Sequence, residues 1–484
     1  MQFLLRGSLA RRTVICTIAL VFFCGCKKFV TVTAPATSIN SSNVYATDAT
    51  AAAVLTGIYG KISNNFYGVL PSMSLVGGLS ADELTLYSGS SNLAYIGYYT
   101  NKLTNINTAG FDFWTTTYSV INTANAAIEG LQASTTLTPA IKRQLLGEAF
   151  FVRAFCYFYL VNLYGDVPLA ISSDYKVNAS LTRAPKVQVW QQIVNDTKNA
   201  GSLLNINFIY SDGMTVTSER TRPNKWAAVA LAARVYLYTG DWRDAELASD
   251  SLISGIAPFP LGLAPNLDSV FLMNSSEAIW QLQPVSASPT NTQDGYMFII
   301  PNTGPNDNYN PVYLSADLLS SFEPNDLRRN GGHWLDSTIV GSTTYFYPYK
   351  YKVNDPSATV SEYEMVFRLG EQYLIRAEAR ARLGNITGAL SDLDSIRIRA
   401  GLPNYAGAAD QASILAAILH ERQVELFTEW GNRWLDLKRT ANIDAVMTAA
   451  CPHKGRVWNT NWQLYPILLT ELQRDNNLVQ NKGY

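Results

Sequence analysis

The feature that most constrains this fold is one apolar stretch, "GEAFFVRAFCYFYLVNLYGDVPL", at residues 147–169. Its largely apolar part runs from Ala149 to Tyr164 and is interrupted by Arg153 and Asn162. It is too short and too interrupted for a membrane helix, which needs roughly 20 apolar residues. A helix that is apolar on all sides and does not span a membrane is buried inside a large helical protein. Gly165 suits the residue that ends a helix, and Pro168 prevents the helix from resuming. The stretch therefore predicts a helix at the centre of the core.

Arg153 is a charge inside this predicted core helix. An unpaired charge in a protein interior is strongly unfavourable, so buried charges are paired. We therefore expect a carboxylate or several carbonyl groups of a neighbouring helix to contact Arg153, and we expect Arg153 to be inaccessible to solvent.

The N-terminus has the pattern of a lipoprotein signal peptide. Arg6, Arg11 and Arg12 precede the short apolar run "TVICTIALVFFCG", and Cys26 follows Gly25 directly. Only a thiol at the new N-terminus can carry a thioether-linked diacylglycerol, which attaches a chain to a membrane. We predict cleavage of residues 1–25, lipidation of Cys26 and a Thr/Ser/Pro-rich tether over residues 26–44, although Phe23 replaces the leucine usual in such signals.

Two later segments share a helix-turn-helix pattern that is typical of tetratricopeptide repeats. Residues 227–252 and 371–396 each contain a helix rich in small residues, a glycine turn and a second helix. In both, an alanine follows the glycine by five positions, at Ala245 and Ala389. Small residues let paired helices approach closely, so these segments predict a helical scaffold.

Long segments without helical periodicity interrupt this scaffold. Residues 63–113 are rich in Gly, Ser, Asn and Tyr, and an insertion at about 257–361 contains loops and strand-like pieces such as "EAIWQLQPV". We predict a mainly α protein with one domain at 45–484, whose halves span about 45–215 and 216–484. The last long helix is expected at "QASILAAILHERQVELFTEWGNRWLDLKRT", with the C-terminal tail packing on it through Tyr465, Pro466 and Ile467.

Composition narrows the possible partners. Charged residues make up only 15% of the 484 residues, and 37 Lys and Arg balance 38 Asp and Glu, so nucleic acid is not an expected partner. The three histidines and the cysteines outside the signal peptide have no metal-ligand spacing, so the sequence indicates no metal site and no cofactor.

Several segments, in order along the chain, resemble the SusD/RagB family of nutrient-binding outer-membrane lipoproteins. They include "CKKFVTV", the apolar stretch described above, "NKWAAVALAARVYLYTGDWRDA", "FRLGEQYLIRAEARARLGN" and "ERQVELFTEWGNRWLDLKR". The resemblance implies an all-α core with four tetratricopeptide-type helix pairs decorated by loops. It also implies a surface-exposed protein that binds glycan and passes it to a SusC-like TonB-dependent transporter.

Neutral glycans are bound by aromatic rings against sugar faces and by polar side chains at the hydroxyls. Residues in the two loop regions are therefore the candidates for glycan binding. They are Asp82, Tyr87, Tyr95, Tyr98, Tyr99, Asn291, Asp294, Tyr296, Tyr309, Trp334 and Tyr345.

Two other functions are compatible with the sequence. A surface glycosidase would use Asp82 or Asp294 with another loop carboxylate, and a tetratricopeptide scaffold would bind protein only. Glu421, Glu425 and Glu429 recur every four residues, but Arg397 and Arg399 offer them partners and Glu429 precedes Arg433 by four. We interpret these three glutamates as a structural ion network and predict no catalytic residue.

Overall fold

The computed structural model describes residues 44–63, 72–106 and 112–484. Cys26, the signal peptide and the tether up to residue 43 lie outside the described residues. The described chain is mostly helical. Its helices are α1 Asp48–Ser63, α2 Met73–Ser80, α3 Leu93–Tyr99, α4 Phe113–Ala133, α5 Pro139–Tyr164, α6 Tyr175–Asn178, α7 Lys186–Leu203, α8 Lys225–Thr239, α9 Trp242–Ile253, α10 Gln293–Phe298, α11 Ala316–Ser321, α12 Leu369–Arg382, α13 Ile386–Arg399, α14 Gln411–Glu425, α15 Asn432–Arg439, α16 Ile443–Ala450 and α17 Leu469–Arg474.

The strands are short and pair two by two in antiparallel fashion. They are β1 Leu84–Leu86 with β7 Val312–Leu314, β2 Val167–Pro168 with β3 Arg183–Ala184, β4 Phe208–Ile209 with β5 Val216–Thr217, β6 Ala278–Leu282 with β10 Glu364–Arg368, and β8 Leu335–Val340 with β9 Thr343–Pro348. The predicted strand in "EAIWQLQPV" is confirmed as β6, which is buried along its whole length.

Helix α5 contains the apolar stretch and lies at the centre of the core, as predicted. The rings of Phe151 and Phe155 contact Trp280 of β6 edge-on, with centroids 4.9 and 5.4 Å apart, and Phe155 also contacts Trp430. Among the described helices, α5 is the one with the length and hydropathy of a membrane span, but nearly all of it is buried inside the protein. It ends at Gly165, whose φ of 76° favours glycine.

Arg153 is buried and paired, which confirms the prediction for this residue. Its guanidinium donates to both carboxylate oxygens of Asp196 on α7, each at 2.8 Å, and to Oδ1 of Asn125 on α4 at 2.8 Å. The Arg153 guanidinium also lies 5.5 Å from the centroid of the Phe150 ring. One side chain of the core helix is thus fixed to α4 and α7, the two helices that pack most extensively against it.

The two predicted tetratricopeptide-type pairs are α8–α9 and α12–α13. Gly240 and Gly384 turn the chain between the helices of each pair with φ of 78° and 83°. Ala245 and Ala389 are fully buried where the paired helices meet. Helix α9 of the first pair packs on α12 of the second, so the pairs stack although the insertion separates them in sequence.

Two predictions about secondary structure were wrong. The segment 63–113 contains helices α2 and α3 and strand β1, which are too short to show a period in sequence. The predicted last long helix is two helices, because Thr428, Trp430 and Gly431 have φ of 50°, 51° and 70° and end the helical geometry between α14 and α15. The tail does pack back as predicted: Tyr465 is buried, with its ring 6.4 Å from that of Trp434.

Candidate functional site

Strand pairing brings the two tyrosine-rich loop regions together. Strand β1 pairs with β7 from Leu84 opposite Leu314 to Leu86 opposite Val312. The pairing continues beyond the strand, since the Tyr87 amide donates to the Pro311 carbonyl at 2.7 Å. Regions that are far apart in sequence are therefore neighbours in the fold.

Six partly or largely exposed tyrosines lie in these two regions, and we refer to them together as the tyrosine surface. Its residues are Tyr87, Tyr99, Tyr296, Tyr309, Tyr313 and Tyr345. The rings of Tyr296 and Tyr309 meet edge-on with centroids 5.8 Å apart, and those of Tyr313 and Tyr345 with centroids 5.1 Å apart. Tyr309 is 53% exposed, and the others are partly exposed. A solvent-accessible ring of this kind can lie against the apolar face of a sugar.

A carboxylate at the edge of the tyrosine surface joins the two loops. The Asp307 carboxylate accepts hydrogen bonds from the hydroxyls of Ser90 and Ser91 and, at 2.9 Å, from the Ser91 amide. Burial acts to raise the pKa of Asp307, but these hydrogen bonds outweigh it and hold the pKa below its usual value. Asp307 is therefore ionised at neutral pH and fixes the loop that presents Tyr309.

Five of the sequence-predicted binding residues lie on this surface, namely Tyr87, Tyr99, Tyr296, Tyr309 and Tyr345. The prediction was wrong for four others, because they are buried and a ring or amide in the interior does not reach a glycan. Tyr95 and Tyr98 face the core from α3, and the Tyr98 ring contacts that of Tyr465 at 5.3 Å. Trp334 is 0% exposed and donates from Nε1 to the Leu267 carbonyl at 3.0 Å. Asn291 is buried too, and its Oδ1 accepts from the Ser361 amide at 2.8 Å.

The two candidate carboxylates are also interior groups. Asp82 forms a two-point ion pair with Arg433, with distances of 2.8 and 2.7 Å. Burial acts to raise the pKa of Asp82, but the hydrogen bonds and charge of Arg433 outweigh burial and hold the pKa below its usual value. Asp294 is buried beside Glu364. Burial raises the pKa of both carboxyl groups, and the charge of Asp294 adds to the rise at Glu364. A glycosidase needs two carboxylates that flank an accessible sugar. Asp82 and Asp294 do not have that access.

Glu421, Glu425 and Glu429 form the predicted structural ion network, with some different partners. Glu425 accepts from Arg368 at 2.6 Å and from Arg328 at 2.9 Å, and it also contacts Arg399. Burial acts to raise the pKa of Glu425, but the arginine charges outweigh it and hold the pKa far below its usual value. The prediction of an ion pair between Glu429 and Arg433 was wrong.

Glu429 lies beyond the end of α14 and contacts Arg368 and Lys350. Arg433 instead forms its ion pair with Asp82.

Tyr313, Tyr347 and Tyr349 belong to the same cluster as Tyr345 but were not among the residues predicted from the sequence. Tyr313, Tyr345 and Tyr349 pack over a small buried group that includes Tyr347. A signal for this cluster was available in "TTYFYPYKY", where tyrosines recur at every second position from Tyr345 to Tyr349. That spacing places side chains on one face of a strand. In the part of the chain that the structure describes, no group of three His, Cys, Asp or Glu could hold a metal ion.

Comparison with known sequences gives two family matches. The model of the SusD family matches residues 327–484, and a model described as "Starch-binding associating with outer membrane" matches residues 43–237. A SusD-like protein of Formosa agariphila is 24% identical, and the match covers 98% of this chain and 99% of that protein. A SusD-like protein of Bacteroides ovatus is 27% identical over 67% of this chain and 64% of its own length.

Solved structures share the fold. A SusD superfamily protein of Bacteroides vulgatus superposes with a TM-score of 0.78 at 19% identity, over 91% of this chain and 100% of its own. A laminarin-binding SusD-like protein has a TM-score of 0.73 at 22% identity, over 90% and 99%. The surface glycan-binding protein A of Bacteroides uniformis has a TM-score of 0.75 at 20% identity, over 89% and 98%.

Proposed function

Because this chain belongs to the SusD family, we propose that it is a non-catalytic glycan-binding lipoprotein whose ligand contacts the tyrosine surface. The observation that carries the proposal is the joining of two distant loop regions into one surface with partly exposed rings and polar groups. Related structures described as laminarin-binding and surface glycan-binding support a saccharide as the ligand. The weak net charge of the chain agrees with an uncharged ligand.

Binding at this surface needs no covalent step. The exposed ring of Tyr309 offers a stacking face, and the partly exposed rings beside it extend the contact over more than one sugar unit. The hydroxyls of Ser90 and Ser91 and the Asp307 carboxylate lie at its edge. These groups can exchange hydrogen bonds with sugar hydroxyls. The ligand is thus held by several weak contacts, which suits capture followed by release.

The binding test is calorimetric titration of the lipidated chain in detergent with laminarin, starch and other neutral glycans. Tyr309→Ala and Tyr345→Ala are each expected to weaken binding about twofold to twelvefold, since an aromatic contact contributes roughly 0.5–1.5 kcal/mol. Tyr175→Ala is the matched control, because Tyr175 is 74% exposed on α6, outside the tyrosine surface. Equal affinity of all three variants with the unmodified chain would remove the tyrosine surface as the site.

We further propose that Cys26 carries the lipid that holds the protein at the outer-membrane surface, and that a SusC-like TonB-dependent transporter receives the glycan. Support comes from the signal peptide pattern and from the family description that names the outer membrane. Cys26→Ala should move the protein from the membrane fraction to the soluble fraction. The lipidated chain should co-purify with a large β-barrel protein, and its purification alone from gently solubilised membranes would contradict the partnership.

A further inference from the structure

A cleft of about 880 Å³ lies away from the tyrosine surface. It is formed where the end of α5, the start of α7, helix α15 and the C-terminal segment meet. Its size is within the roughly 300–1,000 Å³ of small-molecule sites. It shares no residue with the tyrosine surface, so it is a separate place for a ligand.

The ionisable residues that line this cleft are almost all basic. They are Arg183, Lys186, Lys438, Arg439 and Lys482, with Asp166 as the single acid in the lining. The whole chain has a net charge of −1, so this is a local excess of positive charge. Arg439 is neutralised by Glu378 and Asp436 outside the lining. Among the described residues, the other four basic side chains form no ion pair with a carboxylate.

Asp166 is already engaged. Its carboxylate accepts from the Lys186 backbone amide at 2.7 Å, at the first turn of α7. Arg183 is held by the Val479 and Tyr164 carbonyls and by Oδ1 of Asn481, at 2.6, 2.9 and 2.6 Å. Together with the Asp166 backbone carbonyl, which accepts from Arg183 Nε at 2.7 Å, these groups satisfy the Arg183 donors. The charge of Asp166 acts on Arg183, but the two side chains form no direct ion pair.

Lys438 is the half-buried cation of the cleft. Its Nζ donates to the Asn162 carbonyl near the end of α5, and it makes no other hydrogen bond to the described residues. An ammonium group has three donors, so two remain for a ligand. Burial, followed by the charge of Lys186, lowers the pKa of Lys438 to about 7. An anion placed between the two lysines would relieve that repulsion.

The cleft also contains aromatic wall residues. Trp190 and Tyr238 are partly exposed, with ring centroids 6.2 Å apart. An aromatic face beside an ammonium pair suits a sugar ring that carries an anionic substituent. We propose that this cleft binds an acidic saccharide, with Lys186 and Lys438 contacting its carboxylate or sulfate. The choice of a saccharide rests on the proposed function.

The test uses the full lipidated chain in detergent at pH 6, titrated with a galacturonate tetrasaccharide, a polyglutamate peptide, neutral maltotetraose and sodium sulfate. Galacturonate should bind, and Lys186→Gln and Lys438→Met should each weaken it about tenfold, because each removes a charged hydrogen bond. Lys186 is exposed, so Lys186→Gln keeps the test available even if Lys438→Met does not fold. Lys198→Gln, on the same helix α7, is the matched control and should bind like the unmodified chain.

Each alternative result overturns the assignment. One such result is a galacturonate affinity that is unchanged in both lysine variants and lost in Tyr309→Ala. That result would place the acidic sugar on the tyrosine surface, so the cleft proposal would fail while the proposal of glycan binding would stand. Binding of sulfate without galacturonate shows a small-anion site only. Tighter binding of a polyglutamate peptide than of galacturonate shows a protein ligand. No binding of any anion removes the site, whatever the neutral glycans do at the tyrosine surface.

Discussion

Removing one partner of the Arg153–Asp196 pair should destabilise the fold much more than removing both. The pair is buried in the core, and Arg153 reaches Asp196 through two hydrogen bonds of 2.8 Å. Asp196→Leu leaves the Arg153 charge without a counter-ion, and Arg153→Met leaves the Asp196 carboxylate in the same position. Each single variant is expected to lose about 3–5 kcal/mol of unfolding free energy, the usual cost of an uncompensated buried charge.

The double variant should recover much of that loss. Burial raises the pKa of Asp196 although Arg153 lies against it, so burial outweighs the attraction of the ion pair. Because the pKa of Asp196 is higher in the folded state than in the unfolded state, this carboxylate contributes less stability once the pH exceeds its unfolded-state pKa. Replacing both charges by apolar groups removes the burial cost of both, and such replacements are often neutral or stabilising.

The assay is urea unfolding of the two singles and the double, followed by circular dichroism at pH 7. The matched control is the exposed pair of Arg474 with Glu471, where Arg474→Met is expected to change stability by about 1 kcal/mol or less. A double variant that loses the sum of the two single losses would refute the reasoning. So would an Asp196→Leu variant as stable as the unmodified chain.

Three further predictions concern other buried groups. Burial, followed by the charge of Asp82, raises the pKa of Glu83 to about 8, so the fold loses stability as the pH rises from about 4.5 to 8. Relative to the unmodified chain, Glu83→Gln should therefore gain roughly 4 kcal/mol of unfolding free energy between about pH 5 and pH 9 in urea titrations. Equal pH dependence of the two proteins would contradict this. Glu425→Gln should lower the unfolding free energy by about 3–5 kcal/mol in the same assay, because the three arginines around it lose the carboxylate that they share as a counter-ion. A loss under about 1 kcal/mol would show that these arginines find other partners. Gly77→Ala should lower the melting temperature, because the new Cβ would lie 2.6 Å from Cα of Gly431. Gly60→Ala is the control, since its Cβ would have open space and the change should be neutral or stabilising. Equal melting temperatures of the two variants would refute the close contact.

The sequence predicted the parts of the fold that depend on local pattern. The α5 helix, the pairing of Arg153 and the glycine turns of α8–α9 and α12–α13 follow from apolar content, the energetics of buried charge and backbone geometry. The break between α14 and α15 could not be read in this way, because left-handed φ values at Thr428 and Trp430 are imposed by tertiary contacts.

The candidate site was only partly predictable from the sequence. Loop position and residue type identified Tyr309 and Tyr345, but they also selected Trp334, which is in the core. Exposure depends on which distant segments cover a loop, and a single sequence does not contain that information. The cationic cleft was not anticipated either, since Lys186 and Lys438 are about 250 residues apart in sequence and meet only in the folded chain.

The pairing of β1 with β7 has a consequence for how the protein matures. Leu84 and Leu314 are neighbours across this ladder although 230 positions separate them (314 − 84). Contacts over such a separation form late, because a long loop must close before they contribute. The helices can be in place before the tyrosine surface exists, so the proposed binding surface is complete only in the last stage of folding. Ligand affinity would then serve as a measure of complete folding that helical content does not provide.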